Sequence, residues 1–267
     1  NGLANNNGQV GKNLLFSGGG TGSGDFFFDE LTQTQANELK HVGPFINRAL
    51  QDWYKIDDEA FIGANNQGKA KGGTIDFLFH QNPIARAQGT QWGHDEQGND
   101  KLLWGEALKQ SIKTEFTSYK TLRFEVFNDW LPTDDCFVSL DNEVTDKWGD
   151  PVAKVRIGYH EHDLKVGTYL AEKAEKLLMA LGAKNIESSI SGYPATNLMA
   201  GGCRFGDDPK TSVLNKNCQA HEVDNLYVTD GSFMPTGGSV PYTFTIYANA
   251  FRVADKIKLR WQSVVAA

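Results

Sequence analysis

The residues best suited to chemistry lie in the last third of the chain. Residues 225–231 form a short apolar segment that is predicted to be a strand ending in Asp230-Gly231. A loop with Pro235, Gly237, Gly238 and Pro241 follows, and residues 243–257 have helical spacing, with one face made of Phe244, Tyr247, Ala248, Phe251 and Ala254. Free N–H groups and a dipole of about half a charge at a helix N-terminus attract an anion or an electron-rich oxygen. This order of elements can hold a polar cofactor, although many strand–helix units end in the same way.

Two other sequence patterns suggest a dinucleotide loop and a metal site, but neither has the spacing that such a site requires. The glycine-rich stretch Gly18–Gly24 does not have dinucleotide-loop spacing, because the third glycine would fall on Ser23 or on Asp25. It also lacks a preceding apolar strand and a following amphipathic helix. His160 and His162 could share a strand face, but no third ligand is near in sequence, and a surface position is the favoured interpretation. No metal site is predicted.

The elements that position the loop are visible from their periodicity. Residues 1–25 are interpreted as loop or turn, rich in Gly and Asn. Helices are predicted at 34–55, broken at Pro44, and at 101–119. The clearest helix runs from an Asp163 N-cap to Leu181, with Gly182 as its stop. Alternating patterns predict strands at 74–79, 122–126, 136–140 and 152–159, with a turn at 146–151.

The composition is that of a globular protein and excludes several functions. Hydrophobic residues make up 40% of the 267 residues and charged residues 22%, which disfavours disorder. With 26 Lys and Arg against 33 Asp and Glu, the net charge is −7, so a nucleic acid is a poor partner. No apolar run approaches the roughly 18 residues of a membrane span. Cys203 and Cys218 could form a disulfide in an oxidising compartment, or they could be idle thiols like Cys136.

Residues 201–257 resemble the C-terminal signature of the glucose–methanol–choline (GMC) oxidoreductases, which are FAD enzymes that oxidise alcohols and sugars. Residues 1–14 (NGLANNNGQVGKNL) are similar to the segment that leaves the family's flavin domain, and residues 131–157 to a hairpin of its substrate domain. Within the family, the resemblance is to bacterial sugar dehydrogenases of the gluconate and glucoside 3-dehydrogenase type.

The resemblance implies an α+β fold, in which helices back an antiparallel substrate-domain sheet. Residues 1–14 would be the tail of the flavin domain, 15–195 the substrate domain and 196–267 a segment returning to the flavin domain as its closing strand and helix. Asp230 and Gly231 match positions that contact the FAD diphosphate and ribitol. Tyr242 and Thr243 match positions whose backbone N–H groups reach the flavin pyrimidine edge.

The sequence departs from the family at both catalytic positions. The family's catalytic His corresponds here to Leu198, and its partner His or Asn corresponds to Pro241. Neither side chain can exchange a proton, which a general base must do. Asn197, which is next to Leu198, and Tyr242, which is next to Pro241, are the predicted replacements.

The family's nucleotide-binding βαβ unit does not occur in these residues, so we expect the chain to be a portion of a flavoprotein whose N-terminal half, either a separate polypeptide or a cleaved partner, carries the rest of the Rossmann-like fold. The resemblance implies oxidation of a sugar or glycoside hydroxyl by hydride transfer to FAD. The resemblance further implies that electrons would pass to a cytochrome or quinone, with a small subunit as a further partner, in the periplasm. The alternative function is a non-catalytic sugar-binding or scaffold module that keeps the fold without the catalytic pair.

Overall fold

The computed structural model describes residues 2–42, 47–65, 70–79, 82–191 and 198–265. The strands are β1 (Leu14–Phe16), β2 (Gly20–Phe27), β3 (Asn47–Leu50), β4 (Lys55–Ile56), β5 (Ala70–Lys71), β6 (Gly73–Phe79), β7 (Trp92–His94), β8 (Asp100–Leu102), β9 (Tyr119–Asn128), β10 (Phe137–Thr145), β11 (Pro151–Arg156), β12 (Lys184–Ile190) and β13 (Met199–Gly201). The helices are α1 (Gln33–His41), α2 (Glu59–Asn65), α3 (Pro83–Gly89), α4 (Gly105–Thr117), α5 (Glu161–Ala180) and α6 (Thr243–Val265).

A five-stranded antiparallel sheet in the order β12-β2-β9-β6-β3 forms the larger unit. Helix α5 packs across one face of it, because the apolar residues of β6 and β9 alternate toward that face. The buried core between helix and sheet includes Ile75, Phe124, Val126, Leu170 and Leu178. The predicted mixture of helices with an antiparallel sheet is thereby confirmed, as are the strands at 74–79 and 122–126.

Strand β2 contradicts the loop interpretation of residues 1–25. Its alternate residues Gly20, Gly22 and Gly24 lie on the α5 side, where no side chain would fit. A Cβ on Gly22 would lie 2.2 Å from the Phe124 ring, and one on Gly24 would lie 3.0 Å from Ala183. The glycines that suggested a loop are therefore required by close packing in a central strand.

Helix α5 begins slightly earlier than predicted. His160 occupies the N-cap position and Asp163 is the third helical residue, so the prediction of Asp163 as the N-cap is wrong. The Asp163 carboxylate accepts the backbone N–H groups of His160 at 3.0 Å and Leu131 at 3.2 Å, which accounts for its burial. Gly182 ends the helix with φ +90°, as predicted.

The C-terminal residues build a second, smaller core together with the start of the chain. β1 pairs antiparallel with β13, and Leu15, Leu214, Phe233, Tyr242 and Val253 lie in the core beside them.

The predicted strand at 225–231 is wrong. That segment makes one isolated bridge, between Tyr227 and Gln219, through the bonds from the Ala220 N–H to the Leu226 carbonyl and from the Val228 N–H to the Cys218 carbonyl. A strand needs a continuous ladder of hydrogen bonds, and no described neighbour supplies one.

Of the remaining predictions of helices and turns, some are confirmed and one is wrong in part. The helix predicted at 34–55 ends at His41, and its second part contains the strand β3 instead. The predicted helix at 101–119 is confirmed by α4, and the hairpin of β10 and β11 confirms the turn at 146–151. The three cysteines carry free thiols, so Cys203 and Cys218 are not joined. None of the helices of the described residues is long and apolar enough to cross a membrane.

Candidate active site

The loop that begins at Asp230 is held by short-range hydrogen bonds. The Asp230 carboxylate caps a 3₁₀ turn, Gly231–Phe233, by accepting the backbone N–H of Ser232 at 2.8 Å. The Ser232 hydroxyl donates to the same oxygen, Oδ1. Among the described residues no donor reaches Oδ2 of Asp230, and the residue is exposed. A Cβ on Gly231 would lie 3.0 Å from the Met199 carbonyl oxygen, so this turn packs closely against β13.

The rest of the loop is fixed to the end of the five-stranded sheet. Ser17 Oγ donates to the Gly238 carbonyl at 3.0 Å, and Ser239 Oγ donates to the Gly72 carbonyl at 3.4 Å. Ser17 directly precedes the glycines that lead into β2, and Gly72 directly precedes β6. These two contacts set the position of the loop, and therefore of the N-terminus of α6, relative to the sheet.

Tyr242 lies immediately before α6, and its side chain is 4% exposed. Its hydroxyl donates to the Leu198 carbonyl at 2.5 Å. Burial raises the pKa of this phenol above its usual value, so the group keeps its proton at neutral pH. The structure thus gives the side chain of Tyr242 a partner in the core. The predicted catalytic role of Tyr242 stays a prediction, and Asn197, the other predicted catalytic residue, lies outside the described residues.

The contact between Tyr242 and Leu198 also shows that two distant segments converge. The resemblance aligned Leu198 and Pro241 with the family's catalytic pair, and the structure brings these segments together through the Tyr242 hydroxyl. The assignment of Leu198 and Pro241 to the family's catalytic positions stays a prediction, and neither residue carries a titratable group.

The first turn of α6 presents free backbone donors. The Tyr242 carbonyl accepts the N–H of Ile246 at 3.0 Å, which begins the helical ladder. The N–H groups of Thr243, Phe244 and Thr245 precede that bond and have no acceptor in the helix. All three residues are exposed. The positive end of the helix dipole therefore faces outward beside the loop.

The predicted apolar face of α6 is its exposed face. Phe244 is 87% exposed, Phe251 77% and Tyr247 60%. The residues that face the C-terminal core are instead Ile246, Asn249 and Val253. A helix normally buries its aromatic stripe, so this face lacks a partner among the described residues.

One pair of charged residues near the loop was missed by the sequence analysis. Lys71 forms an ion pair with Asp129, and Lys71 is adjacent to Gly72, which holds the loop. Burial lowers the pKa of Lys71, but Asp129 and the neighbouring Tyr54 raise it by more, so its pKa lies above the usual value. Oδ1 of Asp129 is buried without a hydrogen-bond partner among the described residues. No sequence motif marks this pair, because its members are 58 residues apart.

Comparison with known proteins gives consistent matches. A family model described as GMC oxidoreductase matches residues 132–250. The chain is 29% identical to 2-methyl-1,2-propanediol dehydrogenase of Mycolicibacterium austroafricanum, over 99% of this chain and 44% of that protein. It is 27% identical to the gluconate 2-dehydrogenase flavoprotein of Pantoea cypripedii, over 66% of this chain and 31% of that protein.

The fold has a counterpart among solved structures. A formate oxidase of Aspergillus oryzae, in a structure that concerns its FAD modification, superposes with a TM-score of 0.54 at 14% identity, over 96% of this chain and 48% of that chain. At this identity the likeness shows the fold alone. The chain spans about half the length, or less, of the proteins that it matches.

Proposed function

Because this chain belongs to the GMC oxidoreductase family and FAD is its cofactor, we propose that it is the C-terminal portion of a dehydrogenase that oxidises a CH–OH group of a sugar or glycoside. The observation that carries the proposal is the loop from Asp230 to Thr243, where an exposed carboxylate and free helix N–H groups lie beside an uncovered aromatic face. The relatives named as dehydrogenases of a diol and of gluconate support the reaction class.

The residues present fit a flavin nucleotide. The N–H groups of Thr243 and its neighbours can donate to carbonyl oxygens at the pyrimidine edge of the flavin, and the positive end of the α6 dipole stabilises negative charge there. The free Oδ2 of Asp230 can accept a hydrogen bond from a ribitol hydroxyl. Gly231 lets the turn pack against β13, where a Cβ would lie 3.0 Å from the Met199 carbonyl oxygen, and this packing fixes the position of the neighbouring Asp230 carboxylate.

The exposed aromatic face of α6 is suited to contact with another part of the flavoprotein. We propose that Phe244, Tyr247 and Phe251 pack against the N-terminal, nucleotide-binding half of the FAD domain. Residues 1–14 and 196–267 would then complete that domain, and residues 15–195 would form the substrate domain. Burying three aromatic side chains would supply a large part of the contact energy between the two halves, since each buries about 150–250 Å².

Proton transfer needs a group other than the family's pair. Bound FAD supplies a hydride acceptor for the carbon of the alcohol. The hydroxyl proton must pass to a base within hydrogen-bond reach, and neither Leu198 nor Pro241 can accept it. Asn197 is proposed to orient the substrate hydroxyl. The backbone N–H of Tyr242 is proposed to face the flavin edge, while its hydroxyl holds the Leu198 segment in place.

Further partners follow from the resemblance. Electrons are proposed to leave the flavin through a quinone or a cytochrome, with a small subunit in the complex. A periplasmic location would fit such a chain of electron carriers. Both proposals concern the whole protein rather than the described residues.

The proposed function is tested on the complete protein with both halves present. It should be yellow, and its flavin absorbance should bleach without oxygen when a substrate sugar is added from a panel of sugars, glycosides and short diols. Chemical reduction with dithionite serves as the control that the flavin is competent. A flavin that dithionite bleaches and that every sugar and alcohol leaves oxidised would contradict the proposal. Sugar binding by calorimetry without bleaching would instead support the non-catalytic module.

A further inference from the structure

The sheet face opposite α5 carries rows of polar side chains across β12, β2 and β9. Ser23 pairs directly with Arg123 on one side and with Glu187 on the other, so these three side chains form one row on the same face. The next row toward the loop contains Thr21 between Glu125 and Ser189. Ser23 Oγ donates to Glu187 Oε1 at 3.4 Å, which links the first row.

These rows border a concave cleft of about 410 Å³. Its polar lining consists of Thr21, Ser23, Thr121, Arg123, Glu187, Ser188 and Ser189. The volume lies within the range of about 300–1,000 Å³ that small-molecule sites occupy. A polar face of an antiparallel sheet is often only hydrated, so the volume needs a second observation before it indicates a ligand.

The second observation is the state of Arg123. Every other arginine of the described chain has a partner, as Arg86 has in Glu115 and Arg156 in Asp135. Arg123 makes no hydrogen bond or ion pair with a described residue, although it is half-buried on a central strand. A guanidinium carries five N–H donors in a fixed plane, and none of them is used within the described chain.

The charges around the cleft select the chemical class of the ligand. An anion would be attracted by Arg123 but repelled by Glu187 in the same row and by Glu125 in the next. A cation would be attracted by Glu187 and Glu125 but repelled by Arg123. A neutral polyol satisfies both, because one hydroxyl can accept from the guanidinium while its neighbour donates to the Glu187 carboxylate. The hydroxyls of Thr21 and Ser189 add donors and acceptors of the same kind.

The position of the cleft indicates the size of the ligand. Thr21 lies four residues beyond Ser17, which contacts the loop at Gly238. At roughly 3.3 Å per residue the two residues lie up to about 13 Å apart, which is longer than one sugar ring. A ring that reacts beside the loop cannot also fill the cleft, but a second ring joined to it can.

We propose that Arg123, Glu187 and Thr21 form a subsite for the non-reacting ring of a neutral glycoside. This inference rests on the proposed function for its choice of substrate, and it names the substrate as a molecule of at least two rings. Arg123 supplies the donors and Glu187 the acceptor for adjacent hydroxyls of that ring. The reacting hydroxyl lies at the other end of the ligand, beside the loop.

The test uses the complete protein and equilibrium binding by calorimetry, so that it does not depend on turnover. Maltose, cellobiose, lactose and sucrose serve as two-ring probes, and glucose, gluconate and glucosamine as one-ring probes. Arg123→Met keeps most of the side-chain volume without the donors, and Glu187→Gln removes the acceptor charge. Lys176→Met is the matched control, because Lys176 is exposed on α5, across the sheet from the cleft. Melting curves establish that each variant is folded.

At least one disaccharide should bind the unaltered protein and bind Arg123→Met about 10- to 100-fold more weakly, the loss expected for a hydrogen bond to a charged group. Glu187→Gln should weaken the same disaccharide, Lys176→Met should not, and glucose should be unaffected by all three changes. The inference is overturned if no disaccharide binds, if Arg123→Met binds it normally, or if gluconate or glucosamine depends on Arg123 more strongly. Disaccharide binding that depends on Arg123 in a protein whose flavin no sugar reduces would retain the subsite and reject the proposed function.

Discussion

Replacing Tyr242 by Phe separates a structural role of the hydroxyl from a chemical one. The phenol is 4% exposed and donates to the Leu198 carbonyl at 2.5 Å, and no other hydrogen bond of the hydroxyl is found among the described residues. Tyr242→Phe therefore removes one part-buried hydrogen bond, while the carbonyl of Leu198 keeps the backbone N–H of Ser17 as a donor at 3.2 Å. We expect the free energy of unfolding to fall by about 0.5–1.5 kcal/mol, the range for the loss of one hydrogen bond whose acceptor stays satisfied.

The same geometry predicts a small effect on rate. A hydroxyl whose pKa is raised by burial, and whose proton is already donated to a carbonyl, does not accept a substrate proton at neutral pH. The rate of flavin reduction in Tyr242→Phe should therefore remain within a few-fold of the unaltered protein. A general acid or base contributes about 10²–10⁴-fold, so a catalytic hydroxyl would give a loss of that size.

The assay is anaerobic stopped-flow reduction of the complete flavoprotein, combined with urea unfolding followed by circular dichroism. Tyr227→Phe is the matched control, because within the described part of the chain its hydroxyl bonds only to Arg260 near the surface, and its loss should change neither quantity appreciably. A 10²-fold loss of rate with unchanged stability would refute the structural argument and establish the catalytic role that the sequence predicts for Tyr242.

Three further changes test other parts of the structure. Gly22→Ala should destabilise the protein by about 1–3 kcal/mol or more in urea unfolding, because the new Cβ would meet the Phe124 ring at 2.2 Å, whereas Gly89→Ala meets nothing within 4 Å and should be neutral. Burial raises the pKa of Asp163, so the folded state holds this proton to a higher pH than the unfolded state does, and the stability should fall as pH rises from about 4 through the folded pKa. That fall should be absent in Asp163→Asn when unfolding is measured across the window. Phe251→Asp should leave the helical circular dichroism unchanged but lower the flavin content of the purified complete protein, because residue 251 is exposed here and proposed to contact the nucleotide-binding half.

The sequence predicts those elements whose side chains alternate or repeat cleanly, and it fails where packing overrides local preference. The strand at 74–79 and the helix that ends at Gly182 follow from apolar periodicity, which burial reinforces. Strand β2 is rich in Gly and Ser, and its role becomes visible only when Phe124 and Ala183 occupy the space that its missing side chains leave. No local pattern contains that information, because the neighbours are about 100 and 160 residues away in the chain.

The residues of the candidate site also fall into those that local sequence can identify and those that it cannot. Asp230 and Thr243 could be found from their residue types next to a loop and a helix start, because a helix N-terminus has the same chemistry in any fold. The pair Lys71–Asp129 and the unpaired Arg123 could not be found, since their significance lies in which charges do or do not reach them. Such relations exist only after the sheet has brought residues from different strands together.

Two features of the C-terminal unit have a common physical explanation. The segment around Val228 is extended and apolar but forms no ladder, and the aromatic stripe at Phe244 and Phe251 is exposed on the helix that follows. Each feature alone would be costly: an extended edge offers unpaired N–H and C=O groups, and exposed aromatic rings lose the free energy of burial. Both are removed at once if a sheet from the nucleotide-binding half pairs with the segment and covers the stripe. The N–H groups at the start of α6 lie between these two surfaces in sequence, so the same docking would enclose them and exclude water from the flavin edge, where their electrostatic effect is then largest.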